Sequence, residues 1–273
     1  MLKIENISKT FYSGTINEKK ALRGLSLELQ DGDFVTVIGG NGAGKSTLLN
    51  CVAGALPVDA GRILIDGVDV THLPEYKRAK YIGRVFQDPM MGTAGTMQID
   101  ENLALAARRG KRRTLRSMMS RKEKEDYRRQ LEMLDLGLEN RLTAKVGLLS
   151  GGQRQALTLL MAALQKPRLL LLDEHTAALD PKTAAKVLET TQRIVEQNHL
   201  TTMMITHNMR DAIAYGNRLI MLYDGRIVVD VSGEEKKKLT VEQLLQLFSQ
   251  ASGSDEVDDK LVLSGSIINV GVR

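Results

Sequence analysis

Between residues 2 and 38 the apolar side chains come in short alternating or continuous runs, LKIENI, LSLELQ and FVTVI, separated by the turn-prone YSGT and DGD. That spacing predicts strands and tight turns. Residues 46–55 read as a helix, and short strands follow around GRILIDG and YIGRVFQD. From Glu101 to Asn140 the chain is rich in Ala, Leu, Met, Lys, Arg and Glu without an internal proline, which predicts helix throughout. From 150 to 230 helical and strand patterns alternate: QRQALTLLMAAL, RLLLLDE, KTAAKVLETTQRIVEQ, TTMMITH, MRDAIAYG, RLIMLYDG. Strands alternating with helices predict an α/β chain with a parallel sheet and crossover connections. After the run KKK at 236–238, TVEQ at 240–243 has the form of a capping box and opens a short amphipathic helix through Phe248. Residues 251–273 turn polar and then β-like, which suits either a flexible tail or a strand folding back; no motif gives them a role.

Composition narrows the class. With 273 residues, 42% hydrophobic and 26% charged, the chain can bury one large core, with or without a subdomain. The net charge of +5 is concentrated in one segment and gives no reason to expect nucleic acid as a partner. The one cysteine, Cys51, lies in an apolar stretch and reads as a buried structural thiol, which excludes a disulfide scaffold and favours the cytosol. No apolar run is long enough to span a bilayer, and MLKIENISKT lacks the core of a signal peptide, so the chain is expected to be soluble by itself.

The candidate chemistry begins at GGNGAGKST, 39–47, set between the strand FVTVI and a helix. The spacing Gly39-x-x-x-x-Gly44-Lys45-Ser46 lets a loop turn its backbone N–H groups inward at the positive end of a helix, forming a phosphate cradle from Gly39, Gly40, Asn41, Gly42, Ala43 and Gly44. Lys45 would neutralise phosphate charge, Ser46 would ligate Mg²⁺ and Thr47 would donate to phosphate oxygens, while side chains at the glycines would collide with the ligand. LLLLDE, 169–174, is an aliphatic run ending in two carboxylates, as expected of a buried strand whose carboxyl edge meets a ligand. Asp173 can hold Mg²⁺ through water, and Glu174 can orient or deprotonate an attacking water.

LSGGQ, 149–153, opens another helix and supplies a second anion site from Ser150, Gly151, Gly152 and Gln153. About twenty residues before LLLLDE, it resembles the signature of the ATP-binding cassette family. The family's remaining elements follow in order. Phe11 matches the aromatic that stacks on adenine, with Tyr12 as a rival; Gln87 in VFQDP matches the loop glutamine that approaches Mg²⁺; Asp180 matches the D-loop and His207 in ITHNM the switch histidine. The resemblance covers roughly residues 2–230.

It implies a P-loop NTPase with a mainly parallel core sheet, an N-terminal antiparallel β subdomain and an inserted helical subdomain at about 88–160, within an ATPase domain at 1–250. It also implies ATP and Mg²⁺ as ligands, and a second copy of the chain or a similar subunit, because phosphate loop and signature face opposite sides and each ATP lies between two subunits. Glu174, His207, Gln87 and Lys45 then form the catalytic set. The implied partners are membrane permease subunits and a solute-binding protein, with the ATPase peripheral on the cytoplasmic face. The segment 108–129, with eleven Lys or Arg against three acids, is either a solvated helical face or a contact with that membrane assembly. Stretches such as LLDEHTAALDPKTAAKVLE are similar to the ATPases of tryptophan- or tyrosine-type importers, the alternatives being a non-transport cassette ATPase or an exporter or lipoprotein-release type. His175 and Ala177 depart from the proline or alanine, and the serine, common at those places in related cassettes.

Overall fold

The computed structural model describes residues 1–111 and 119–252. In chain order the elements are β1 (Leu2–Phe11), β2 (Lys19–Leu29), β3 (Phe34–Gly39), α1 (Lys45–Ala53), β4 (Ala60–Ile65), β5 (Val68–Asp69), α2 (Glu75–Arg78), β6 (Ile82–Val85), α3 (Ile99–Ala106) and α4 (Arg121–Glu132). Then come α5 (Gly151–Ala163), β7 (Leu169–Asp173), α6 (Pro181–Asn198), β8 (Thr202–Ile205), α7 (Met209–Ala214), β9 (Arg218–Tyr223), β10 (Arg226–Ser232), α8 (Gly233–Lys238) and α9 (Val241–Ser252). They divide into one unit of residues 1–72 and 203–273 and another of residues 73–202.

In the first unit, an antiparallel sheet runs in the order β2-β1-β4-β5, with Leu2 opposite both Leu29 and Ile65. Its inward-facing Ile4, Ile7, Leu27 and Ile63 are buried, the one-face alternation typical of such sheets. The second set of strands runs β10-β9-β3-β8. β3 pairs β9 in parallel, from Val35 beside Arg218 to Gly39 beside Leu222, while β9 and β10 form an antiparallel hairpin. β3 is buried along its whole length. Ile38, Met209, Met221, Val231, Leu244 and Phe248 form a core that α7 and α9 close, with Phe248 edge-on to Tyr223 at 5.6 Å. In the second unit β6 and β7 are parallel neighbours, Val85 beside Leu172, and α5 packs on β6 and α6. The α/β class, the parallel core pairing and the antiparallel N-terminal sheet agree with the sequence expectation.

One expectation needs correcting. The stretch from Glu101 to Asn140 is not helical throughout: α3 ends at Ala106, α4 starts at Arg121, and only a single turn of 3₁₀ helix, Leu138–Asn140, follows. Local chemistry sets these breaks. Ser120 caps α4 in a box with Glu123, and beyond α4 the chain turns at Asp135 and Gly137, both with positive φ. Residues 112–118, the centre of the basic segment, and the tail from 253 onward lie outside the described residues. Of the basic residues described, Arg108, Lys124, Arg128 and Arg129 pair with Glu123, Asp100, Glu125 and Asp126 at 2.6–3.3 Å, which favours a solvated face for α4. The helix opened by TVEQ has the reciprocal Thr240 and Gln243 bonds expected of it and continues past Phe248 to Ser252. Among the described residues no helix is long and apolar enough to cross a membrane.

The lysine run at 236–238 is not uniformly solvated. Lys236 is 2% exposed, and its ammonium donates to Tyr215 O and, at 3.0 Å, to Gly216 O, just past the end of α7. Burial pulls its pKa down to about 8. It satisfies carbonyls that the helix end leaves over, at the end where a cation is favoured. Replacing Lys236 with Met keeps the stem and removes the donors, which should cost about 2 kcal/mol for the lost charge-assisted hydrogen bonds. Thermal unfolding of the variant should show a midpoint lower by several degrees, with nucleotide binding unchanged.

Candidate functional site

In the first unit the phosphate loop grows out of β3. Gly39 has φ 150°, and a Cβ there would lie 2.3 Å from the Leu222 carbonyl oxygen of β9; Gly44, with φ 104°, would bring a Cβ to 2.5 Å from Ala21 O. Both glycines are therefore demanded by the protein's own backbone, in addition to any clearance a ligand needs. Gly44 is the N-cap of α1, and neither a side-chain cap nor an acid in the first turn uses the N–H groups of that helix end. Lys45 is buried and folds back, its ammonium donating to Gly39 O at 2.6 Å and Gly40 O at 3.0 Å. The turn of the β9–β10 hairpin braces the loop, Gly225 N donating to Ala43 O. Asn41, Gly42 and Ser46 are exposed and Thr47 is half-buried, whereas Gly39, Ala43, Gly44 and Lys45 are buried.

Two further sequence-predicted residues lie in the first unit. Phe11 ends β1 opposite Lys19, and the Lys19 ammonium lies 3.1 Å from where a Gly42 Cβ would stand, which brings the end of β1 beside the cradle. Phe11 is half-buried with the Lys9 ammonium 5.9 Å from its ring centre, whereas Tyr12 is 72% exposed. His207 follows β8, whose continuation is tied to β3 by Thr206 N donating to Val37 O. It is exposed, and Asn208 after it caps α7 by accepting from Arg210 N and Asp211 N.

The second unit carries the carboxylates. Leu169, Leu170, Leu171 and Leu172 are all buried, and Asp173 is the first half-buried position of β7. Glu174 then takes φ 45°, the left-handed region that a non-glycine residue occupies at a cost of about 1–2 kcal/mol. Because Val85 pairs with Leu172 in parallel register, Gln87 leaves β6 at the same edge at which Glu174 leaves β7. The Asp173 carboxylate pairs at 3.3 Å with Arg84, whose guanidinium stacks on Phe86 at 4.5 Å. Sequence reading passed over Arg84; the signal was a lone cation in the middle of a buried-strand pattern, IGRVF.

The signature lies at the head of α5. Ser150 Oγ accepts from Gln153 N at 3.3 Å while Gln153 Oε1 accepts from Ser150 N at 3.2 Å, a complete capping box. Gly152 has no room for a Cβ, which would stand 2.1 Å from Thr183 Cγ2, and at Gly151 it would be 3.3 Å from Leu179. Thr183 N in turn donates to Asp180, the N-cap of α6, and the Thr183 hydroxyl and N–H hold the Asp180 carboxyl below the usual range. Signature and Asp180 are thus one packed junction. Among sequence-predicted residues, those of the phosphate loop, Phe11 and His207 belong to the first unit, and Gln87, Asp173, Glu174, Asp180 and the signature to the second.

Buried behind Glu174 is His175, 2% exposed, with Nε2 3.0 Å from Thr191 Oγ1. Burial pulls its pKa down to about 4.

Comparison with known proteins finds the following similarities. A family model described as ABC transporter matches residues 22–177. A tyrosine transport ATP-binding protein of Clostridioides difficile (strain R20291) is 47% identical over 251 residues, 92% of this chain and 100% of that protein. The phosphonates import ATP-binding protein PhnC of Lactococcus lactis subsp. cremoris (strain SK11) is 32% identical, covering 89% and 98%. Among solved structures, the dimeric post-hydrolysis state of the ATP-binding cassette MJ0796 bound to ADP and Pi superposes with a TM-score of 0.72 at 28% identity, covering 85% of this chain and 98% of that one.

The buried imidazole predicts a pH effect. Its pKa is lowered from 6.5 to about 4 on folding, so between those values the unfolded chain binds the extra proton. The stability associated with neutral His175 is full above pH 6.5 and is lost as pH falls toward 4. Comparing thermal midpoints at pH 7.5 and 4.5, wild type should lose more than a His175→Gln variant, which keeps a donor and cannot titrate, by about 2 kcal/mol.

Proposed function

The chain belongs to the ABC transporter family, and on that premise we propose that it is the ATP-hydrolysing subunit of an importer of amino-acid-like solutes, acting as a dimer that encloses two ATP. The observation that carries this reading is the cradle at the head of α1, with buried Lys45 held on the carbonyls of Gly39 and Gly40. Charge complementarity suits it to a polyphosphate: a glycine-rich turn, a helix N-terminus and one ammonium meet there. In each composite site Gly39 to Thr47 of one copy would bind the triphosphate, Phe11 would stack on adenine, and Ser150 to Gln153 of the other copy would close over the γ-phosphate. Asp180, beside that signature, would face the same interface.

Glu174 would take a proton from the attacking water and His207 would contact the γ-phosphate, while Lys45 meets the charge that builds on the transferring group. Ser46, Gln87 and Asp173 offer the hard oxygen donors that Mg²⁺ takes, and the ion would neutralise charge on the β- and γ-oxygens. Loss of the γ-phosphate removes an anion that both copies share, so the pair loosens, and the opening drives the membrane partner. Residues 88–160 would be the helical subdomain that docks on permease subunits; exposed Met90, Met91 and Leu148 support an apolar contact there. The same reading puts the chain on the cytoplasmic face of the membrane, with a solute-binding protein in the assembly and an amino acid of the tyrosine type as cargo.

Three substitutions test it. Lys45→Ala should abolish ATP binding and turnover, and Glu174→Gln should cut turnover by at least two orders of magnitude while leaving binding intact. The second variant should elute as a dimer with ATP by size exclusion; turnover that survives both changes would overturn the reading. Ser150→Arg should impair turnover and spare nucleotide binding by the single chain, as read by equilibrium titration.

A further inference from the structure

The turn after β7 holds a residue that the proposed mechanism does not use. His175 follows Glu174 directly, is 2% exposed, and reaches across to the middle of α6, where Nε2 lies 3.0 Å from Thr191 Oγ1. The Thr191 hydroxyl donates its only hydrogen to Val187 O at 2.8 Å. Thr191 therefore meets His175 as an acceptor, and Nε2 carries the hydrogen. The bond is a directed strut from the backbone of the turn to a helix.

That strut meets a demanding position. Glu174 is held in the left-handed region, which a side-chain-bearing residue keeps only where its surroundings enforce it. Ala177 N donating to Glu174 O closes the turn on one side. Beyond the turn the chain enters α6 at Asp180, so α6 is fixed at its N-cap and again, through Thr191, to the residue next to Glu174.

We propose that His175 is a positioning residue, its Nε2–H bond to Thr191 holding the Glu174 turn against α6 and so fixing the direction of the Glu174 carboxylate. This rests on the reading of Glu174 as the group that activates water. The bond aligns the carboxylate and contributes nothing to nucleotide binding, so its loss lowers kcat and leaves KM alone.

The test compares ATP turnover of the full chain in wild type, His175→Ala, Thr191→Val, the double variant and His175→Gln, with affinity for a fluorescent ATP analogue and thermal midpoints alongside. His175→Ala and Thr191→Val should each lower kcat fivefold or more with KM and analogue affinity within twofold. The double variant should be no slower than the slower single variant, and His175→Gln, which offers a donor at a similar reach, should stay within twofold of wild type. A smaller loss in both single variants, losses that multiply in the double variant, or kcat and affinity falling together in step with the thermal midpoint would overturn the proposal. If His175→Ala does not fold, Thr191→Val, an isosteric change on the far side of the bond, decides by the same thresholds. Glu174→Gln measured in parallel separates the two levels: an active Glu174→Gln enzyme removes the reading of Glu174 itself, whereas an inactive one beside a fully active His175→Ala removes only the strut.

Discussion

Burial of two aliphatic strands on both faces is the constraint from which the chemistry follows. β3 is buried from Phe34 to Gly39, and the four leucines of β7 are 1% exposed or less. Inside such strands every backbone group is spent on the ladder and there is no room for a charge. Thr36, in the middle of β3, is tolerated because its hydroxyl donates to Ala212 O, but charged side chains are admitted only where the ladder stops, at the carboxyl ends, and the phosphate loop and the Asp173–Glu174 pair begin there. Each leucine contributes about 1.5–3 kcal/mol by leaving water, so four of them outweigh the one or two that a left-handed Glu174 costs. A strained residue at the end of β7 is affordable because the strand behind it is not.

How much of this can be read in the sequence depends on the range of the interaction. The phosphate loop, the aliphatic run before Asp173 and the helix opened by Ser150 are local, and residue type and spacing are enough to find them. The helix breaks between 101 and 140 are local too; Gly110, the Ser120-x-x-Glu123 box and Gly137 were all in view, and favourable helix propensity across the window masked them. The hairpin strand β10, after the Asp224-Gly225 turn, carries an alternating pattern in RIVVDVS that was equally readable. Other features are set by partners distant in sequence. Nothing in KKK says that its first lysine turns inward to cap α7, and nothing in LDEHT says that the histidine will find Thr191, sixteen residues on. The glycines show a mixture: their presence was legible, but Gly39 and Gly44 answer to Leu222 and Ala21 as well as to a ligand.

Arg84 bears on how the carboxylate end of β7 is kept stable. Asp173 and Arg84 are each less than one-fifth exposed, and at an effective dielectric near 20 their attraction is about 4–5 kcal/mol, most of it offset by desolvation of both ions. The pair is therefore close to neutral for folding. The strand end that we propose offers an oxygen to Mg²⁺ is in this way charge-balanced by the chain itself, with the guanidinium held over Phe86.

The signature poses a similar question of double use, because Ser150 and Gln153 already satisfy each other within the chain. Hydrogen-bond capacity resolves it. Ser150 Oγ accepts from Gln153 N with a lone pair, and its own hydrogen is left to point outward, so capping α5 and donating to a phosphate oxygen are compatible. The cap even helps, since it fixes the hydroxyl at the positive end of a 13-residue helix before any anion arrives. Gly152 completes the arrangement from the other side: by leaving room for Thr183 it lets α5 start against the helix capped by Asp180. The same residues that begin two helices thereby form one surface, the one that in our proposal meets the phosphate held by another copy of the chain.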